Sequence, residues 1–235
     1  MDANIYDVIY RTTFPERFLN KFNFINKKKI DKCKISEDEK RFEIVAEHFF
    51  SYLNVIQDLQ KVIDFLKIIP DHILEYFPFL QNREEYYKYH YENYVLRMST
   101  IPDLIGKLGN AIYNLQIEEK NCNAFKFKTK YSKLPDCDKR IVNSIEQILL
   151  FTENIREERH LKIHAGKTNT ARLTNLNQQL LLTKVFEYDN DFEFKENFVK
   201  NISIEISELE NQIIKLLEIC NSFFEISSES ILNYS

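Results

Sequence analysis

Glycine and proline are scarce in this chain of 235 residues, which contains three Gly and five Pro. Sandwiches, barrels and glycine-rich phosphate loops need many turns or contorted backbone, so the composition argues against all three. No apolar run reaches the roughly 18 residues of a membrane-spanning helix. Residues 1–5 lack the charged start and apolar stretch of a secretory signal. We therefore expect a cytoplasmic protein with no membrane segment.

The four cysteines, Cys33, Cys122, Cys137 and Cys220, form no C-x-x-C pair. Their scatter favours reduced thiols over a zinc site or a disulfide framework. We therefore expect no structural metal and no cofactor held by cysteine.

Positive charge is not in excess, since the formal net charge is −4. Bulk charge therefore does not mark the chain as a general polyanion binder. Residues 126–172 differ from the rest, with 11 Lys or Arg against 6 Asp or Glu. This basic segment is either a docking surface for a phosphate backbone or a chance clustering of surface charge.

Apolar residues spaced by three and four predict long helices. One begins after Ser36, an N-cap with Glu39 at the capping-box position, and ends at Pro70. A second apolar stripe runs through residues 87–115, where Pro102 predicts a kink or two abutting helices. Residues 70–81 between them suit a short helix and a turn.

The second half of the chain predicts three more helices. Asp136 or Asp138 caps the first, which Gly166 ends. Residues 168–188 suit another, and the last follows the acidic turn at residues 189–191. Residues 121–135, where aromatic residues and lysines alternate, are interpreted as an irregular connector or short strand.

We predict an all-α fold, an antiparallel bundle of four to six helices of which two are long. Residues 1–35 show no sustained period and are predicted to be an irregular amino-terminal arm with one short helix. Their Lys27–Lys29 run could bind RNA or cover the site, but it suits a solvated basic loop better. No linker divides residues 36–235, which are predicted to form a single domain.

Chemistry is concentrated at residues 155–166, where two of the five histidines lie beside two arginines and a lysine. In one straight helix Arg159 lies about five turns after Ile141 and points in the same, core-facing direction. A charge at that angle needs a carboxylate, another subunit or a phosphate as its partner. The alternative is an arginine that extends outward to solvent.

His160 and His164 are four residues apart, a spacing that can bind a metal. A zinc-protease pattern needs Glu after the first His, but Leu161 stands there and no third ligand is evident. Histidine as a proton carrier and arginine as a phosphate ligand suit RNA transesterification instead. In that reaction a base activates the ribose 2′-hydroxyl against the neighbouring phosphate.

The string from Arg159 to His164 resembles the R-x4–6-H motif of HEPN domains (higher eukaryotes and prokaryotes nucleotide-binding). The polar residue that commonly follows the Arg is here His160, and the Gly that often follows the His is Gly166. Residues 91–110 resemble the long preceding helix of some bacterial HEPN groups. The resemblance covers residues 36–224 and implies an HEPN-like all-α fold.

Two other R-x6-H matches occur, from Arg41 to His48 and from Arg83 to His90. Both lie inside predicted amphipathic helices, with Glu or Phe after the Arg and no closing Gly. We interpret both as solvated helix surface.

The resemblance implies a metal-independent endoribonuclease. It implies that His164 would act as general base or acid, that Arg159 would hold the scissile phosphate, and that His160 would orient or share the proton transfer. Arg156, Lys162 and Lys167 would then help to bind the RNA backbone. The expected products are a 2′,3′-cyclic phosphate and a 5′-hydroxyl.

Positions 159 and 164 lie about 140° apart around an ideal helix. They meet only if the helix loosens before Gly166 or if a second subunit contributes its own motif. The resemblance implies the second solution, a homodimer with two motifs in one cleft. It also implies a toxin with an antitoxin or other regulatory protein, or a phage-defence effector.

Two alternatives remain at this stage. A non-catalytic HEPN-like module binds RNA, nucleotide or a protein, and the acidic net charge favours it. A purely structural bundle uses Arg159 in an interface salt bridge.

Overall fold

The computed structural model describes residues 5–68, 83–165 and 191–232. These residues form eight α-helices and one short 3-10 helix, which confirms the all-α prediction and exceeds the four to six helices expected. The helices are α1 (Ile5–Ile9), α2 (Phe14–Ile30), α3 (Glu37–Lys67), α4 (Arg83–Tyr113), α5 (Ala124–Tyr131), α6 (Lys139–Phe151), α7 (Glu153–Ala165) and α8 (Asp191–Leu232), with the 3-10 helix at Glu119–Asn121.

The chain divides into two compact units. The first unit contains residues 1–57, 100–153 and 213–235, and the second contains residues 58–99 and 154–212. The three longest helices, α3, α4 and α8, each contribute one part to the first unit and the other part to the second. The motif helix α7 lies in the second unit from residue 154 onward.

The prediction of an irregular arm with one short helix is wrong for the described residues 5–35, which are mostly helical. Residues 14–30 form α2, with Pro15 in its first turn, where the missing N–H has no intrahelical partner to lose. Phe14 and Phe18 are buried, and their rings contact Phe224 at 5.2 Å and Phe49 at 4.5 Å between centroids. This aromatic cluster makes α2 part of the core of the first unit.

The basic run at the end of α2 is paired rather than a solvated loop. Lys28 Nζ donates to Glu39 Oε1 at 2.6 Å, and Lys29 forms an ion pair with Glu43. The hydrogen bond from Lys28 is the largest cause of a lowered pKa at Glu39. Positive charge in the last turn also complements the helix dipole of α2.

The predicted capping box at the start of α3 is confirmed. Ser36 Oγ accepts from the Glu39 N–H at 3.1 Å, and Glu39 Oε2 accepts from the Ser36 N–H at 2.8 Å. Two backbone donors that have no intrahelical partner are thereby satisfied.

Removing the cap is expected to destabilise the protein. Ser36→Ala loses the hydroxyl acceptor, so the free energy of unfolding should fall by about 1 kcal/mol. Urea unfolding followed by circular dichroism measures the loss. Ser51→Ala is the matched control on the same helix, because Ser51 Oγ donates only to the Glu47 carbonyl on an exposed surface. Equal effects of the two substitutions would show that the cap contributes nothing specific.

Helix α4 runs without interruption through Pro102, so the stripe at residues 87–115 is one helix and not two. In the second unit Tyr86 Oη donates to the Phe65 carbonyl and Arg97 pairs with Asp58, so α4 is antiparallel to α3. Hydrogen bonds from Tyr87 to Glu205 and from Tyr94 to Gln212 show that α8 runs in the same direction as α4. The bundle is therefore not antiparallel throughout.

The predicted irregular connector at 121–135 is largely helical. Asn123 Oδ1 accepts from the Lys126 N–H at 2.9 Å and caps α5. Phe127 and Tyr131, four residues apart, are buried, whereas Phe125 is 62% exposed. The alternation of aromatics and lysines therefore did not indicate a strand, because only the i, i+4 pair faces the core.

The predicted third helix is divided in two. Asp138 caps α6 as expected, since its carboxylate accepts from the Arg140 N–H at 2.8 Å. The helix ends at Phe151, and the buried Thr152 donates its hydroxyl to the Ile148 carbonyl at 2.8 Å. Helix α7 then begins at Glu153.

Three predictions lie outside the described residues: the short helix at 70–81, the stop at Gly166 and the helix at 168–188. The last helix does begin at Asp191, at the end of the predicted acidic turn. Among the helices of the described ranges, none combines the length and hydropathy needed to cross a membrane.

Candidate functional site

Helix α7 carries most of the predicted site. Arg156 and Arg159 are half-buried on it, and His160 is exposed. Lys162 and His164 belong to the same helix, which continues to Ala165. The sixth predicted residue, Lys167, lies outside the described residues.

Arg159 is held in an unusual environment. Its Nε is buried and has no hydrogen-bond partner within residues 5–68, 83–165 and 191–232. A buried donor on a charged group is costly without an acceptor, so an anionic ligand or a partner chain that supplied an acceptor would stabilise it. The sequence-based reason for this burial was wrong, however, because it assumed one straight helix from Ile141, and α6 ends at Phe151.

Three tyrosines on α4 form a ladder that faces α7 and α8. The rings of Tyr87, Tyr91 and Tyr94 follow one another at 6.2 Å and 6.0 Å between centroids. Their hydroxyls donate to Glu205 at 2.6 Å, Glu158 at 3.0 Å and Gln212 at 2.7 Å, respectively. The bond from Tyr91 to Glu158 anchors α7 at the residue immediately before Arg159.

Sequence reasoning missed this ladder, although a signal for it was present. Tyrosine in an apolar stripe requires a hydrogen-bond partner for each buried hydroxyl. Burial, together with the nearby Glu158 carboxylate, raises the pKa of Tyr94 well above its usual value. Tyr94 is therefore a neutral donor at physiological pH and not a catalytic base.

A second arginine of this unit shows the contrast with Arg159. Arg97 Nε donates to Asp58 Oδ2 at 3.3 Å, and Arg97 Nη1 donates to Asn93 Oδ1 at 3.0 Å. Burial raises the pKa of Asp58, but Lys61 and Arg97 lower it by more, so the net direction is downward. Arg97 is thus a structural arginine with a carboxylate partner.

The position of His164 follows from the regularity of α7. The helix includes both position 159 and position 164, so the two lie about 140° apart around its axis. The described residues of α7 therefore show no loosening before Gly166, which was the first of the two predicted solutions.

The basic segment at 126–172 is divided between the two units. In the first unit Arg140 is bonded to Asp138 at 2.7 Å and Lys128 to Glu146 at 3.3 Å. Local carboxylates therefore neutralise part of the positive charge. The basic residues of α7 are the part of this segment that lies in the same unit as the motif.

The two discarded R-x6-H matches are not simple solvated surface. His90 is only 8% exposed and its ring lies 4.4 Å from Tyr86 and 5.1 Å from Phe65, so that interpretation is wrong there. Burial lowers the pKa of His90. His48 is half-buried and lines a cleft in the first unit.

Comparison with known proteins agrees with the motif and the helical fold. A family model described as Cthe2314-like HEPN matches residues 49–233. No curated protein and no solved structure matches the chain. The match covers most of the chain, including the tyrosine ladder and the Arg159–His164 motif. The chain belongs to the HEPN family.

Proposed function

We propose that this protein is a metal-independent endoribonuclease that cleaves RNA by attack of the ribose 2′-hydroxyl on the adjacent phosphate. The observation that carries the proposal is the buried Nε of Arg159, which has no acceptor among the described residues. A guanidinium in that state gains most from a phosphate, which accepts two hydrogen bonds and neutralises the charge. Family membership supports the same chemistry.

The proposed roles follow the chemistry of each side chain. Arg159 binds the scissile phosphate and stabilises the charge that develops in the transition state. His164 removes the 2′-hydroxyl proton or donates a proton to the leaving 5′-oxygen. His160, which is exposed on the same helix, orients or shares this proton transfer. Contacts to the flanking backbone come from Arg156, Lys162 and Lys167.

The active form in this proposal is a homodimer. Within one chain, helix α7 separates positions 159 and 164 by about 140°. A two-fold axis that brings two copies of α7 together places Arg159 of one copy opposite His164 of the other. Leu161 is 50% exposed between these positions and supplies apolar surface for such a contact.

The cellular role in the proposal is that of a cytoplasmic bacterial toxin or phage-defence effector. A composition rich in Lys, Asn and Ile suits an AT-rich bacterial genome. An antitoxin or other regulatory protein would then restrain the nuclease.

The experiment is cleavage of mixed single-stranded and transfer RNA in EDTA. The wild type should leave 2′,3′-cyclic phosphate ends, and His164→Ala or Arg159→Ala should lower the rate by about 10²–10⁴-fold. Arg140→Ala is the matched control, because Arg140 is exposed and bonded to Asp138 in the other unit.

Each other outcome has a definite meaning. RNA binding without cleavage by any folded variant would replace the enzyme with a non-catalytic binding module. Equal cleavage by wild type and His164→Ala would exclude His164 from the reaction. Loss of stability in Arg159→Ala, with no effect on RNA binding or cleavage, would make Arg159 a structural interface residue.

A further inference from the structure

The first unit contains a cleft of about 240 Å³ between α3, α4 and the segment that follows α4. Three of its lining side chains are basic or imidazole groups, Arg41 and His48 from α3 and Lys107 from α4. The motif helix belongs to the second unit, so this cleft is not part of the Arg159 site. The family match begins at residue 49, so the α3 wall of the cleft also lies outside it.

The α3 wall follows from helical spacing. Arg41, Ile44 and His48 are separated by three and four residues and therefore share one face. The core face of the same helix is formed by Phe42, Val45 and Phe49, which are buried. Arg41 and His48 are half-buried, so both line the cleft and remain partly accessible to solvent.

The opposite wall is a held, strained segment. Asn114 and Gln116 have φ angles of 49° and 56°, in the left-handed region that non-glycine residues seldom adopt. Asn110 fixes the segment, since its Oδ1 accepts from the Ile117 N–H and its Nδ2 donates to the Ile117 carbonyl, each at 3.0 Å. Such strain persists where the surroundings impose it, often at ligand sites. Asn114 and Gln116 both line the cleft.

The charge of the cleft favours an anion. Among the residues that line the cleft, Arg41 and Lys107 carry positive charge and Glu119 carries negative charge, so the lining residues sum to +1 with His48 neutral. Lys107 Nζ lies 3.6 Å from Glu119 Oε1, and the Glu119 side chain is 73% exposed, so the pair is weak and can open. Burial is the largest cause of a lowered pKa at His48, Lys107 lowers it as well, and Glu119 and Glu47 raise it. An incoming dianion favours the protonated imidazole, which adds a second net positive charge.

We propose that this cleft is a binding site for a small phosphate monoester. Arg41 donates a two-pronged hydrogen bond to the phosphate, Lys107 supplies a point charge, and His48 donates an N–H. The volume of about 240 Å³ is below the roughly 300–1,000 Å³ of drug-sized pockets. The cleft therefore suits a phosphate with a group of sugar size.

Isothermal titration calorimetry with ribose 5-phosphate and with inorganic phosphate tests the site. The variant Arg41→Gln/Lys107→Gln should bind both ligands at least tenfold more weakly than the wild type, because it loses charge-assisted hydrogen bonds. The matched control Lys40→Gln/Lys139→Gln removes the same charge from exposed positions and should bind like the wild type. Tighter binding of ribose 5-phosphate identifies a sugar phosphate, and equal binding identifies free phosphate.

Thermal unfolding by circular dichroism verifies that each variant is folded. If the double variant is unfolded, Arg41→Lys replaces it, since it keeps the charge and loses the two-pronged geometry. Wild-type binding that is absent at about 1 mM ligand, or that is unchanged in the cleft variant, would overturn the proposal. If the wild type binds an RNA strand but neither small ligand, and the cleft variant loses that binding, the cleft is a nucleic-acid contact and not a small-ligand site. Neither result depends on whether the protein cleaves RNA.

Discussion

Co-expressed Arg159→Ala and His164→Ala chains are expected to cleave RNA, although neither variant cleaves it alone. In the proposed dimer each site takes Arg159 from one chain and His164 from the other. A mixed dimer therefore keeps one intact site, with Arg159 from the His164→Ala chain and His164 from the Arg159→Ala chain. Random association makes half of the dimers mixed, so about a quarter of the wild-type rate should return.

The physical reason is the continuity of α7 between the two positions. A helix with ideal geometry holds them about 140° apart, and α7 extends to Ala165 without a break. Positions 159 and 164 of one chain therefore lie on different sides of the helix. Loss of either residue should lower the rate by about 10²–10⁴-fold, which makes restoration to a quarter easy to measure.

A matched mixture controls for dimer formation itself. Arg159→Ala co-expressed with Arg159→Ala/His164→Ala forms mixed dimers that contain no Arg159, so it should remain inactive. Two affinity tags isolate the mixed species in each case. If the mixed dimer of the Arg159→Ala chain with the His164→Ala chain is isolated and proves inactive, each chain uses its own Arg159 and His164.

Gly106→Ala is expected to have the largest effect on stability. A Cβ at position 106 would lie 2.6 Å from the Asn123 carbonyl oxygen and would also overlap the Asn123 carbonyl carbon and the Ala124 nitrogen. These are backbone atoms at the start of α5, so α4 and α5 must separate. Overpacking of this kind costs about 1–3 kcal/mol or more, against a helix-propensity gain of about 1 kcal/mol. Because the overlapping atoms are backbone, we take the upper end of this range, about 3 kcal/mol, and expect a net loss of about 2 kcal/mol in the free energy of unfolding.

Gly109→Ala provides the control on the same helix. A Cβ at position 109 would meet ring atoms of Phe127 at 2.6 Å and beyond, and a side chain can shift where backbone cannot. Both substitutions carry the same propensity gain, so the difference between them compares a clash with backbone atoms with a clash with the buried Phe127 ring. Urea unfolding of the two variants measures this difference. A Gly106→Ala protein as stable as Gly109→Ala would contradict the close approach of α4 and α5.

The elements that could be predicted from sequence are those with local signals. The stripe on α3, its Ser36–Glu39 box and the Asp138 cap lie within a few residues of the features that they determine. The amino-terminal arm was missed because α2 buries few residues, and its Phe14 and Phe18 are recognisable only beside their respective partners Phe224 and Phe49. The break at Thr152 was missed because apolar spacing continues on both sides of it.

The same distinction applies to the candidate site. Arg159 and His164 could be found because the motif is contiguous and carries a recognisable spacing. The hydrogen bond between Tyr91 and Glu158 joins residues 67 positions apart, and no local pattern relates them. The cleft at Arg41 and His48 was missed for the same reason. Its positive lining includes Lys107, which is far from both residues in the sequence.

The three long helices that serve both units make the protein indivisible along its sequence. A fragment cut to the family-matched residues 49–233 would lose α1, α2 and more than a third of α3. Phe49 and Phe224 would then be left without the rings of Phe14 and Phe18, and apolar surface would face water. The boundary of the family resemblance is therefore not a boundary of folding, and the amino-terminal helices are a structural requirement of the first unit.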